Sequence, residues 1–406
     1  MNDDLGFPTT KSQPKTLGPY YTLDAWRGIA SLWVMGFHLS GVILALYPTL
    51  HPNPFYRIMG QGNLGVQLFF VISGYCIINA AVTNLHRDQK PWKYLKARIR
   101  RIYPTYWAAF ILALVVTLVA LVLDPHGRTA QNLQQQHLLR APNAPQEMLL
   151  LLGYNFTLTA VLFHQIPFIS PAWTLCYEVA FYLIVGAALW GVVQCRKDEE
   201  TLLRILHGLT LLCLLYLLAF SHYAYPLNLW PQFGLGILVY DWLRFPSHRR
   251  PRFMLFLTGL CILNISLFKP HLSLGFVFAR TLFPQFLISW LFALILILLH
   301  RFDSHTTTMM FLRPFFKIGV FSYSLYITHT IFQGISHHFM QKLHLSAAFH
   351  PLLFLTGSTI EIGFAYLFYL VFERPFVSSR RHKMVQAILH VSVEPAPSIQ
   401  EAREGG

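Results

Sequence analysis

Apolar runs of about twenty residues follow one another along the whole chain, at 25–46, 62–83, 103–123, 171–192, 203–220, 228–243, 253–269, 274–299, 317–338 and 351–372. At 1.5 Å of rise per residue, such a run coiled as a helix reaches across the roughly 30 Å hydrocarbon layer of a bilayer. Lipid offers no hydrogen bonds, so each run must satisfy its own backbone, and a helix does so. These features predict an all-α, polytopic integral membrane protein with about ten transmembrane helices. Only 12% of the residues are charged and 54% are hydrophobic, against about 25% charged in soluble domains. The stretch 148–170 is apolar but broken by Gly153, Asn155, His164, Pro167 and then Pro171. It is expected to be re-entrant or interfacial, not a full span.

The cations orient this scheme. With ten spans, 24 of the 31 Lys and Arg fall in loops and tails on one side, and 5 fall on the other. Cytoplasmic loops concentrate such residues, so both termini are expected in the cytoplasm. The net charge of +14 is explained by this bias, and nucleic acid is not expected as a partner. Residues 1–22 lack the apolar core of a signal peptide, so the first span is expected to serve as the targeting signal. This tail and the one at 377–406 flank a membrane domain of residues 23–376. Cys76, Cys176, Cys195, Cys213 and Cys261 show no paired spacing, read as small core residues, and imply neither a metal site nor a disulfide framework.

Ionisable groups inside spans are costly and usually functional. The first span, LDAWRGIASLWVMGFHLSGVILALY, carries Asp24 and Arg27 at its start and His38 within it. Arg27 and His38 are separated by about 20° beyond three full helical turns, so they share one face, roughly 16 Å apart along the axis. By helix rise, Glu178 in PAWTLCYEVAFY and His329 in FSYSLYITH come to a depth close to that of His38. A second cluster, KPWKYLKARIRRIYPTYW, puts Arg98 and Arg101 on one helix face at the inner surface, level with Arg27. Guanidinium forks suit phosphates, so these three arginines are candidates to hold a polyphosphorylated ligand such as coenzyme A. In GNLGVQLFFVISGYCI, Gly62, Gly65 and Gly74 allow close helix approach, and Ser73 and Tyr75 bring hydroxyls into the membrane. Glu361 and Arg280 are expected to form a buried pair.

These motifs resemble the acyltransferase 3 family of membrane-bound acyltransferases, which modify cell-surface carbohydrates. The resemblance covers residues 20–376. It rests on LDAWRGIASLWVMGFH, GVQLFFVISGY, ARIRRIYPTYW, WTLCYEVAFY, FSYSLYITH and FERPF, in the family's order. Three positions depart from the usual pattern, Ala25-Trp26 for Gly-Leu and Thr174 for Ser, without changing an ionisable group. The resemblance implies an enzyme of the cell (inner) membrane that moves an acyl group, most commonly acetyl, from acyl-CoA to a hydroxyl of a carbohydrate or glycolipid. Acyl-CoA is then a co-substrate and no permanent cofactor is implied. The donor's phosphates would rest on Arg27, Arg98 and Arg101. His38 would act as general base. Glu178 would orient it or hold acceptor hydroxyls. Ser73, Tyr75, Trp173 and His329 would complete the substrate-binding or oxyanion set. The same residues also allow a proton-coupled transporter or flippase of a glycan precursor, with Glu178, His38 and His329 as a proton relay. A non-catalytic envelope anchor would leave the buried ionisable groups unexplained.

Overall fold

The computed structural model describes residues 17–18, 20–123, 144–220, 225–268, 282–343 and 346–377. Within them the regular structure is entirely helical, with no strand. The helices are α1 (Thr22–Leu46), α2 (Pro54–Met59), α3 (Gly65–Arg87), α4 (Pro91–Leu123), α5 (Ala144–Phe156), α6 (Trp173–Gln194), α7 (Glu199–Ala219), α8 (Trp230–Arg244), α9 (Arg249–Phe268), α10 (Leu282–Leu299), α11 (Arg313–Val320), α12 (Ser322–Leu343) and α13 (His350–Phe368).

Seven helical stretches of the described residues are long and apolar enough to cross a bilayer: Thr22–Leu46, Pro54–Arg87, Pro91–Leu123, Ser170–Gln194, Glu199–Ala219, Pro284–Thr306 and Ala347–Phe376. The chain is thus a multi-pass membrane protein. Three other expected runs are helical but differ in form. The 228–243 run is α8, only 15 residues and roughly 22 Å long. The 253–269 run belongs to α9, which opens on Arg249, Arg250 and Arg252. The 317–338 run is divided at Phe321 between α11 and α12. The stretch 148–170 contains α5, 13 residues long, then short turns up to Pro171, so it holds no spanning helix. Arg280, most of the N-terminal tail and residues 378–406 lie outside the described residues. Glu361, the residue expected to pair with Arg280, accepts a hydrogen bond from Gln333 Nε2 at 3.0 Å.

Glycine sets the helix spacing around the site. A Cβ on Gly74 of α3 would collide with the Phe233 carbonyl of α8, and one on Gly236 with the Val71 carbonyl. Gly28 and Gly319 do the same for α1 and α11. The first residue of α3 presses less hard but is still close, since a Cβ on Gly65 would lie 2.8 Å from the Ala30 carbonyl oxygen. Small residues let backbones meet in this way where lipid provides little hydrophobic drive between helices. The start of α1 is tied down separately. Asp303, in the helical turn Asp303–Thr306, accepts from the Tyr21 and Thr22 amides at 2.8 and 2.7 Å and also bonds the Thr22 hydroxyl. A carboxylate at a helix N-terminus satisfies orphan N–H groups and suits the helix dipole. This clamp sits just ahead of Asp24 and Arg27.

Candidate active site

A cavity of about 380 Å³ lies between α1, α3, α4, α6 and α12. Arg27, Arg98 and Arg101 all line it, as expected from their positions. Their surroundings differ. Arg27 donates to Asp24 Oδ1 at 2.7 Å and to Cys76 Sγ at 2.9 Å, so part of its fork is already committed. Arg98 is half-buried, and its Nε has no hydrogen-bond partner among the described residues. No ion pair within 4.0 Å involves Arg98 or Arg101 among these residues. The arginines reach one space because α4 runs unbroken through Pro104, carrying its basic first half up to the walls formed by α3 and α6.

Glu178 lines this same cavity. It accepts a hydrogen bond from Tyr182 Oη at 2.7 Å, and Ser73 Oγ is 3.5 Å away. Ser73 and Tyr75 also border the cavity, and the buried Tyr75 hydroxyl has no partner among the described residues. Two cations with open hydrogen-bonding capacity beside an unpartnered phenol favour an extended anionic guest.

His38 lines a second, smaller recess of about 30 Å³, together with Asn63, Gln67, Trp173 and Gln285. That volume admits one or two water molecules. Val66 and Tyr326 border both cavities. The Tyr326 hydroxyl meets Thr174 Oγ1 at 3.0 Å. The side chain packed on His38 is His329, with ring centroids 5.1 Å apart and planes at 50°. His329 Nδ1 lies 3.1 Å from the Leu325 carbonyl oxygen. A carbonyl only accepts, so Nδ1 must carry the proton. In the neutral ring Nε2 then holds a lone pair, and this buried atom has no partner among the described residues.

The expected site residues are therefore gathered into two adjoining chambers. Arg27, Arg98, Arg101, Ser73, Tyr75 and Glu178 share one, and His38 and Trp173 share the other, with His329 against His38. Glu178 is brought to the arginines, and no hydrogen bond links it to the imidazole. The sequence reading overlooked Gln67, Gln285, Asn63, Tyr182 and Tyr326. Gln67 had a signal, an amide in the middle of the apolar run GVQLFFVIS. Cysteine placement also departs from expectation: Cys195 is exposed, and Cys76 is half-buried on Arg27.

Comparison with known proteins gives the family. The chain is similar to "Protein 2 in picA locus" of Rhizobium radiobacter, at 30% identity over 193 residues, covering 46% of this chain and 90% of that protein. It is similar to the peptidoglycan O-acetyltransferase OatA of Listeria monocytogenes, at 26% identity over 202 residues, covering 47% of this chain and 27% of OatA. No solved structure matches. The acyltransferase-domain profile of the acyltransferase 3 family matches residues 20–370, nearly the whole helical bundle, and the chain therefore belongs to that family and is a membrane acyltransferase.

Proposed function

We propose that this enzyme transfers an acyl group, most commonly acetyl, from acyl-CoA to a hydroxyl of a cell-envelope carbohydrate or glycolipid. The observation that carries the reading is the shared wall: a chamber lined by three arginines adjoins, through Val66 and Tyr326, the recess that holds His38. In this reading the chain makes ten passes through the inner membrane with both termini in the cytoplasm, so the arginine chamber faces the cytoplasmic donor.

Arg98 and Arg101 bind the donor's phosphates, and Arg27 adds whatever donors Asp24 and Cys76 leave free. Glu178, fixed by Tyr182, accepts from an amide N–H of the pantetheine arm, and Tyr75 donates to one of its carbonyls. The thioester then meets His38 at the wall. The acceptor hydroxyl gives its proton to His38 as its oxygen attacks the thioester carbonyl. The tetrahedral intermediate collapses, the C–S bond breaks, and the imidazolium returns that proton to the departing thiolate. The product is an ester and free coenzyme A. His329, whose Nδ1–H is committed to the Leu325 carbonyl, is held in one tautomer against the ring of His38. Trp173 offers an aromatic face to the sugar.

The test is His38→Ala in proteoliposomes supplied with acetyl-CoA, reading coenzyme A release and glycan ester by mass spectrometry. General-base removal is expected to cost about 10²- to 10⁴-fold in rate, with the protein still inserted. Wild-type rates in that variant would exclude the role.

A further inference from the structure

The acceptor recess contains an unmet hydrogen-bond acceptor. Gln67 on α3 and Gln285 on α10 are each 3% exposed, and both line the recess with His38. Gln67 Nε2 donates to Gln285 Oε1 at 3.0 Å. That bond fixes the amide of Gln67, and its Oε1 is left buried with no partner among the described residues. A buried carbonyl-type oxygen without a partner is uncommon, because it has given up water and gained nothing. Its position follows from the backbone. Gly65 packs onto the Ala30 carbonyl, which holds the first turn of α3, and so Gln67, against the middle of α1.

We infer that Gln67 is a specificity-determining residue for the acceptor, which must present a second hydrogen-bond donor, a vicinal hydroxyl or an acetamido N–H, next to the hydroxyl being acylated. This inference rests on the acyltransferase reading. The reacting hydroxyl spends its only proton on His38, so it has none for Gln67. A free Oε1 on a residue that lines the same small recess therefore calls for a donor from the neighbouring position of the same molecule. The recess volume of about 30 Å³ accommodates a pair of adjacent polar groups, with the rest of the sugar outside. Trp173, which also lines the recess, is suited to a ring's C–H face.

Small alcohols test this directly. Purified full-length protein with acetyl-CoA is given ethane-1,2-diol, ethanol or 2-methoxyethanol at equal concentration, and each ester is quantified. The wild type is expected to favour the diol about tenfold, the worth of one neutral hydrogen bond. Gln67→Met, similar in volume but without the amide, is expected to reduce that preference to about one. Gln285→Met leaves Gln67 Oε1 in place but unfixed, and is expected to retain a preference of a few-fold. A wild type without diol preference, or a preference that survives Gln67→Met, overturns the assignment and leaves the recess to water. If the Gln67 variant does not accumulate, the wild-type comparison and Gln285→Met still decide. A wild type that releases no coenzyme A from acetyl-CoA refutes the acyltransferase reading beneath it, a different and recognisable failure.

Discussion

Replacing Arg98 by alanine tests the donor chamber most sharply. In the unliganded protein the Arg98 Nε–H is buried without a partner, so the cost of removing it from water is already incurred. A phosphate that arrives there gains the bond without that cost. Charge-assisted hydrogen bonds are worth about 1.5–3 kcal/mol each. Arg98→Ala is therefore expected to weaken coenzyme A binding by roughly 10- to 150-fold. Arg98→Lys keeps the charge but loses the planar fork, and should fall between the two. Arg27→Lys should cost less, about threefold to tenfold, because Arg27 already donates to Asp24 and Cys76. The assay is titration calorimetry of coenzyme A into nanodisc-held protein at low and high salt. Part of the Arg98 effect should fade with salt, since the residue is half-buried and partly screened. A loss below about threefold for Arg98→Ala, with the protein folded, would refute the phosphate assignment and the reasoning from the unpaired Nε.

Two further outcomes concern the scaffold. Gly74→Ala must push α3 and α8 apart by about an ångström to relieve the clash with the Phe233 carbonyl, at a cost of about 1–3 kcal/mol; Gly153→Ala, with nothing within 4 Å of the new methyl, should be neutral or slightly stabilising, and equal melting temperatures for the two variants would contradict the packing account. Asp198, in the turn before α7, accepts from the Thr201 amide at 2.9 Å and its hydroxyl at 2.8 Å, and these bonds hold its carboxyl below the usual carboxylate value. A depressed folded-state value means its contribution is complete above about pH 3.9 and is lost as pH falls through the folded value. Asp198→Ala should therefore cost about 1 kcal/mol at neutral pH and less toward pH 3, as read by thermal unfolding at each pH, and a constant penalty would overturn the cap.

Much of the site was legible because membrane spans punish ionisable residues, so Arg27, His38, Glu178 and His329 stand out against their apolar runs. The three arginines line one cavity, and their grouping was legible because charge beside an apolar run marks the end of a span in the sequence. Glu178, placed by helix rise at the height of His38, lines the arginine cavity instead of the recess of His38. Helix rise yields only a position along the axis, and two groups at one height can face different chambers; α6 turns Glu178 toward α3 and α4. The imidazole pair of His38 and His329 is where equal height and contact coincide. Gln67 passed unnoticed because a single amide in an apolar run resembles an ordinary interhelical hydrogen bond, which one of its two polar ends does make. Only the other end, empty in three dimensions, carries the information. The break at Phe321 was equally hidden, since hydropathy sees no difference between one long helix and two that meet at a bend.

The phenol of Tyr326 belongs to two rooms at once, and that has a consequence for timing. Its hydroxyl meets Thr174 Oγ1 at 3.0 Å and the Pro171 carbonyl at 3.5 Å, and its ring packs beside Phe69 and His329, so any change in its position alters both volumes together. If the proposed donor occupies the arginine chamber, Tyr326 stands between its thioester and the small recess beside the imidazole. In the proposed reaction, a wall at this place keeps an activated acyl group from hydrolysis until an acceptor hydroxyl reaches the imidazole.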